Sequence, residues 1–318
     1  MEWAMNKKLK VELGGLPQKI HIWSTNTENP ILLSLHGGPG GPDRDILRRR
    51  CLDLCDAFTL VGWDQRGTGG SYAGCSAESL TLDRLVEDAA ELIRWLGKTL
   101  GHEKAFILGV SWGTELGTFL ALRHPELVAA YVGSGQVVNG IENEDRSWSF
   151  ALAEAEKAGD TKGVETLKKV GPPVKGIYTP VVDGLLAERK VMSKYGGYRT
   201  GKTNFMGTQV KRFLLTPEYG IRDTWGILKG YRFCLGNMWP SIVDYDFAGG
   251  HPEPKFAMPY YIFQGVQDRN TPSSLVEGYF ERIEAPKKEL IWFEHSAHSC
   301  LGEEPERFKE LLRSRLLG

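Results

Sequence analysis

Short runs of β-branched and apolar residues alternate along this chain with longer stretches of helical periodicity, and that alternation constrains the fold more than any other feature. It predicts an α/β architecture: a mostly parallel sheet with helices packed on both faces. Residues 8–13 and 19–23 alternate apolar with polar around Gly14-Gly15 and read as an antiparallel hairpin at a sheet edge. Residues 31–35 form a nearly continuous apolar run, a buried strand opening into His36-Gly37-Gly38-Pro39-Gly40. A helix is expected over 45–56, with Cys51 and Cys55 on one face, and 58–63 forms the next strand. Leu82, Leu85, Val86, Ala89, Leu92, Ile93 and Leu96 mark an amphipathic helix over 81–100, closed by Gly101. A strand over 104–108 leads into Gly109-Val110-Ser111-Trp112-Gly113, a helix over 114–123 stops before Pro125, and 127–132 returns as a strand.

Residues 139–244 break the rhythm. They are mostly helical, interrupted at Gly171-Pro172-Pro173 and Tyr195-Gly196-Gly197-Tyr198, and read as an inserted cap. Strands resume at 258–263 and 289–293, separated by a helix over 272–283, and a terminal helix covers 305–317. The expected organisation is a core made of residues 1–138 and 245–318 with a helical cap, 139–244, between its halves. No apolar run approaches the roughly 20 residues that span a bilayer. A net charge of −1 with scattered Lys and Arg argues against nucleic acid as a partner. Five cysteines, odd in number and without paired ligand spacing, read as reduced, packed thiols, so neither a metal nor a cofactor is expected. The start lacks the basic-then-apolar order of a signal peptide, so the cytoplasm is the expected location.

The chemistry centres on Ser111. Gly-x-Ser-x-Gly places a serine on a tight turn between strand and helix, where side chains at the glycines would strike neighbouring backbone. A serine hydroxyl needs a base to take its proton and an acid to orient that base. In the strand-turn-helix arrangement the order is serine, acid, histidine, with the last two on loops after late strands. Asp268 follows the 258–263 strand, and His298 follows the 289–293 strand. His295 is a rival base, but it lies closer to the strand end, and His298 has the loop needed to swing over the sheet. The oxyanion formed on attack needs preorganised N–H donors, and Gly38 and Trp112 are the expected pair.

Three motifs carry a family resemblance: His36-Gly37-Gly38-Pro39-Gly40, Trp63-Asp64-Gln65-Arg66-Gly67-Thr68-Gly69-Gly70-Ser71, and the serine motif with Trp112 directly after Ser111. Together they resemble the proline iminopeptidase group, peptidase family S33, of the α/β-hydrolase superfamily. The resemblance implies that Ser111, Asp268 and His298 form a triad and that the insertion covers it. It also implies that cap acids read a substrate's amino terminus. The family's Trp-x-x-Trp-Glu pattern is not found between Asn139 and Asp244, which leaves Glu142, Glu144 or Asp145 as candidates for an ammonium group. The expected reaction is hydrolysis of a small peptide or amide through an acyl-serine. A carboxylic ester hydrolase or lactonase uses the same machinery, and a non-catalytic ligand-binding protein on this scaffold is the reading from a different class.

Overall fold

Hydrophobic pattern sets the strand register from the first hairpin onward. β1 (Met5–Leu13) and β2 (Leu16–Ser24) pair antiparallel from Met5 against Ser24 to Leu13 against Leu16. β3 (Ile31–Leu35) and β4 (Thr59–Trp63) are buried at every position, as strands covered on both faces must be. With β5 (Ala105–Val110), β6 (Val128–Ser134), β7 (Tyr260–Gly265) and β8 (Lys288–Phe293) they make one sheet ordered β1-β2-β4-β3-β5-β6-β7-β8. Every pairing from β4 onward is parallel, and β2 meets β4 antiparallel. This computed structural model describes residues 2–201 and 216–318.

Helices cover both faces. α1 (Arg44–Arg50) packs on one side, and α2 (Leu82–Leu100) and α3 (Trp112–Arg123) on the other. Thr81 caps α2 by accepting from the Arg84 N–H, and Gly101 ends it in a left-handed conformation at φ 79°. The single helix expected over 45–56 is divided: α1 stops at Cys51 and a 3₁₀ turn covers Leu52–Asp56. Leu47, Cys51, Leu54, Cys55 and Phe58 keep the spacing of one helix face and share the same core across the break. Both thiols are buried there, and burial raises each well above its ordinary value.

Between β6 and β7 run α4 (Gly140–Lys157), α5 (Thr161–Val170), α6 (Val181–Lys194) and α7 (Ile221–Ile242), with small apolar clusters of their own. α8 (Ser273–Arg282), the short α9 (Cys300–Glu303) and α10 (Pro305–Leu317) complete the chain. The three late parallel strands end at one edge of the sheet, where β5 delivers Ser111, β7 leads to Asp268 and β8 leads to His298. Among the described residues, no helix is long and apolar enough to cross a membrane, and no cluster of metal-ligating side chains occurs.

Candidate active site

Ser111 sits between β5 and α3 at φ 54°, ψ −123°, a conformation a residue with a side chain adopts only under local constraint. Here the constraint is visible. The Ser111 N–H donates to the Ser134 carbonyl at 2.9 Å, and the Ser111 carbonyl accepts from both the N–H and Oγ1 of Thr114, each at 2.7 Å. The flanking glycines are there for room: a Cβ on Gly113 would run into the Leu35 carbonyl of β3, and one on Gly109 would lie 2.6 Å from the Gly113 carbonyl. α3 thus begins at Trp112, two residues earlier than periodicity alone suggests.

The glycine-rich loop after β3 approaches the serine from the other side. A Cβ on Gly37 would be 3.0 Å from Ser111 Cβ and 3.6 Å from its Oγ. Neither the Gly38 N–H nor the Trp112 N–H is taken by another group among the described residues. A residue quoted in the sequence but given no role, Gln65, ties these pieces together. Its Nε2 donates to the His36 carbonyl at 3.1 Å, and its Oε1 accepts from Trp112 Nε1 at 3.0 Å. The three motifs are therefore physically one unit.

Asp268 is fully buried and saturated with donors. Oδ1 accepts from the N–H of Asn270 (2.8 Å) and Thr271 (2.9 Å). Oδ2 accepts from Thr271 Oγ1 (2.7 Å), Gln264 Nε2 (3.0 Å) and His298 Nδ1 (2.8 Å). With Nδ1 donating, the imidazole carries its lone pair on Nε2, the nitrogen that acts as a base. His298 packs against the exit of β6, where a Cβ on Gly135 would be 2.7 Å from Cε1. Ser111 bonds to Ser134, the residue before that glycine, so serine and imidazole both border the exit of β6. His295 is exposed, on the surface of the same loop.

The helices between β6 and β7, expected to form a cap, bring together a buried charged group. Glu144 on α4 and Glu188 on α6 are buried and share the guanidinium of Arg189: Nη2 lies 2.5 Å from Glu144 Oε1, and Nη1 bonds Glu188. Among the described residues, Oε2 of Glu144 and Oε1 of Glu188 are buried without a hydrogen-bond partner. Burial raises the Glu188 carboxyl, against the pull of Arg189, and the Arg189 guanidinium is held well above its ordinary value because its two carboxylates outweigh its own burial. Tyr178 and Tyr231 adjoin, and burial pushes the Tyr231 phenol up to about 12. The Tyr198 ring lies 5.2 Å from the His298 ring. Glu142 and Asp145 do not join this cluster; both are exposed, and Glu142 pairs with Arg146 one turn on. Glu188 and Arg189 carry no motif, and only tertiary packing of α4 against α6 marks them.

Residues 30–162 match the family described as alpha/beta hydrolase fold. The chain is 29% identical over 312 residues to the probable aminopeptidase YbaC of Bacillus subtilis (strain 168), covering 97% of this chain and 95% of that one. Among solved structures it is similar to the proline iminopeptidase of Mycobacterium smegmatis, with TM-score 0.66 at 18% identity over 98% and 97% of the two chains. It is likewise similar to an esterase from Exiguobacterium antarcticum, with TM-score 0.64 at 18% identity over 99% and 100%.

Proposed function

We propose that this chain, a proline iminopeptidase-like member of the α/β-hydrolase superfamily and a serine hydrolase, releases a small amino-terminal residue, proline among them, from short peptides or amides. Ser111 Oγ attacks the scissile carbonyl while His298 Nε2 takes its proton. Asp268 holds the Nδ1–H and stabilises the imidazolium. The oxyanion is received by the N–H groups of Gly38 and Trp112, the latter at the positive end of α3. Collapse of the tetrahedral species breaks the C–N bond, and the imidazolium returns its proton to the leaving amine. Water then attacks the acyl-Ser111 ester by the same route and frees the acid.

The observation that carries the substrate class is the surplus of buried negative charge in the cap. Two carboxylates share one guanidinium, and among the described residues each keeps an oxygen with no hydrogen-bond partner, an arrangement that a protonated amine would complete. Glu144 and Glu188 are the ammonium-binding pair in this reading. A second reading, an esterase or lactonase on a small molecule, draws support from Arg189 itself, because an internal cation already neutralises half of the charge.

A fluorogenic proline amide, its N-acetyl derivative and a short-chain phenyl ester separate the two. Ser111-dependent cleavage of the free amide, with the acetylated form resistant, is the expected result. An intact amide beside a cleaved ester rejects the aminopeptidase reading.

A further inference from the structure

His298 Nε2, the atom assigned to take the serine proton, is engaged elsewhere. It stands 3.1 Å from Nδ2 of Asn270, and no hydrogen bond joins it to Ser111 Oγ. Because Nδ1 donates to Asp268, Nε2 carries the lone pair, and the Asn270 amide N–H is its donor. The base is covered in the resting enzyme.

The turn bearing Asn270 is gripped by the cap as well as by the core. The Asn270 carbonyl accepts from Nδ2 of Asn143, on α4, at 2.8 Å, and the same Nδ2 donates to Glu144 Oε1 at 3.0 Å. Next to it, the Arg269 carbonyl accepts from Ser147 Oγ, and its N–H donates to the Gly197 carbonyl at 2.9 Å. A continuous set of contacts therefore runs from Glu144 through Asn143 and Asn270 to the imidazole. Both asparagines lie where nothing in the proposed chemistry requires an amide.

We infer that Asn270 is a positioning residue that caps the His298 lone pair at rest, and that Asn143 couples its release to occupation of Glu144 and Glu188. The inference rests on the triad and amine-site reading above. A cation arriving at Oε2 of Glu144 draws negative charge away from Oε1, the atom that accepts from Asn143, and so weakens that contact. Asn143 then shifts, the Asn270 carbonyl loses its donor, and the amide leaves Nε2 free for Ser111. A ligand without an ammonium group meets a base that is still covered, so selection acts on kcat as well as KM.

The test is the rate at which a small neutral fluorophosphonate labels Ser111, a reagent that does not need the cap. Asn270→Ala is expected to label roughly five-fold faster than the wild type, the worth of one neutral hydrogen bond. Asn143→Ala should also label faster, and the double variant no faster than Asn270→Ala alone, since both act on one contact. Methylammonium should speed labelling of the wild type and leave Asn143→Ala unchanged. Asn270→Ser, too short to reach Nε2, serves in place of the alanine variant if that one does not fold. Labelling of a folded Asn270 variant at or below the wild-type rate overturns the inference. A wild type that is not labelled at Ser111 at all instead overturns the triad reading on which it rests.

Discussion

Two buried ion clusters bear on the cap, and they are built on opposite terms. In the first, Arg44 binds Asp64 through two nitrogens (2.7 and 2.9 Å) and Glu218 through a third (2.6 Å). Lys19 takes Asp223 at 2.6 Å, Lys8 approaches Glu218 at 3.4 Å, and the Gly70 N–H donates to Asp64 at 2.8 Å. Three carboxylates thus meet three cations, and the start of α7 is fastened to β2, β4 and α1. In the second cluster two carboxylates share the single cation Arg189, whereas Glu218 Oε2 in the first, also without a hydrogen bond, has the Lys8 ammonium 3.4 Å away. A matched buried network fixes the position of a segment, whereas an unmatched one holds electrostatic free energy that a ligand can release. One cluster is a fastening, and in the amine-binding reading proposed above the other is a receptor.

The largest effect expected from this contrast is on stability. Arg44→Met leaves Asp64, Glu218 and Asp223 buried around an absent guanidinium, and should cost about 3–5 kcal/mol in urea unfolding. Arg189→Met should cost clearly less, because Glu188, already raised by burial, can take up a proton instead. Equal losses at the two arginines would erase the distinction. Next comes activity. Glu188→Gln and Glu144→Gln should each lower kcat/KM for the free proline amide by roughly 10- to 100-fold, the range of one charge-assisted hydrogen bond, while ester cleavage stays within about two-fold.

The contrast extends to pH with opposite signs. For Asp223, burial raises the carboxyl but the Lys19 hydrogen bond and the charges of Lys19 and Arg44 outweigh it, and the net direction is downward. A group lowered in the folded state contributes stability above its ordinary value of 3.8, and that stability is lost as pH falls through the depressed value. Glu188 is raised, and so is Glu115, a buried carboxyl on α3 whose shift comes from burial alone. A raised carboxyl binds its proton more tightly when folded, so its contribution is present below 4.5 and declines as pH climbs above it. Melting temperature should therefore fall as pH rises from about 4.5 through about 7, the value to which Glu188 is raised, and Glu115→Gln, which cannot ionise, should flatten the slope. A slope unchanged in Glu115→Gln would remove this carboxyl from the account.

What could be read from the sequence follows from the range of the forces involved. Strand and helix periodicity is local, so β3, α2 and α10 were legible nearly to the residue, and the order serine, acid, histidine followed from the strands that precede them. The break at Cys51 was not legible, because Leu47, Cys51, Leu54, Cys55 and Phe58 keep the spacing of one helix face straight through it. Gln65 lay inside a motif that named it without explaining it. Asn270 and Thr271 sat in Asp-Arg-Asn-Thr-Pro, which reads as an ordinary turn until Asp268 and His298 are seen to share it. Glu188 and Arg189 were beyond reach, since their meaning comes entirely from α4 lying against α6.

The smallest predicted effect separates Glu142 from Glu144, two acids that sequence treats alike. They are two positions apart on α4, about 200° around a helix of 3.6 residues per turn, so one faces solvent when the other faces the cap interior. Glu142 is exposed and bridges to Arg146 at i+4, a pairing worth about 0.5 kcal/mol or less. Glu142→Ala should therefore shift unfolding by no more than that and leave kcat/KM for the proline amide unchanged. A ten-fold loss of amide cleavage in Glu142→Ala would move amine recognition to the solvated face of α4 and leave the buried Glu144–Arg189–Glu188 cluster as a second fastening.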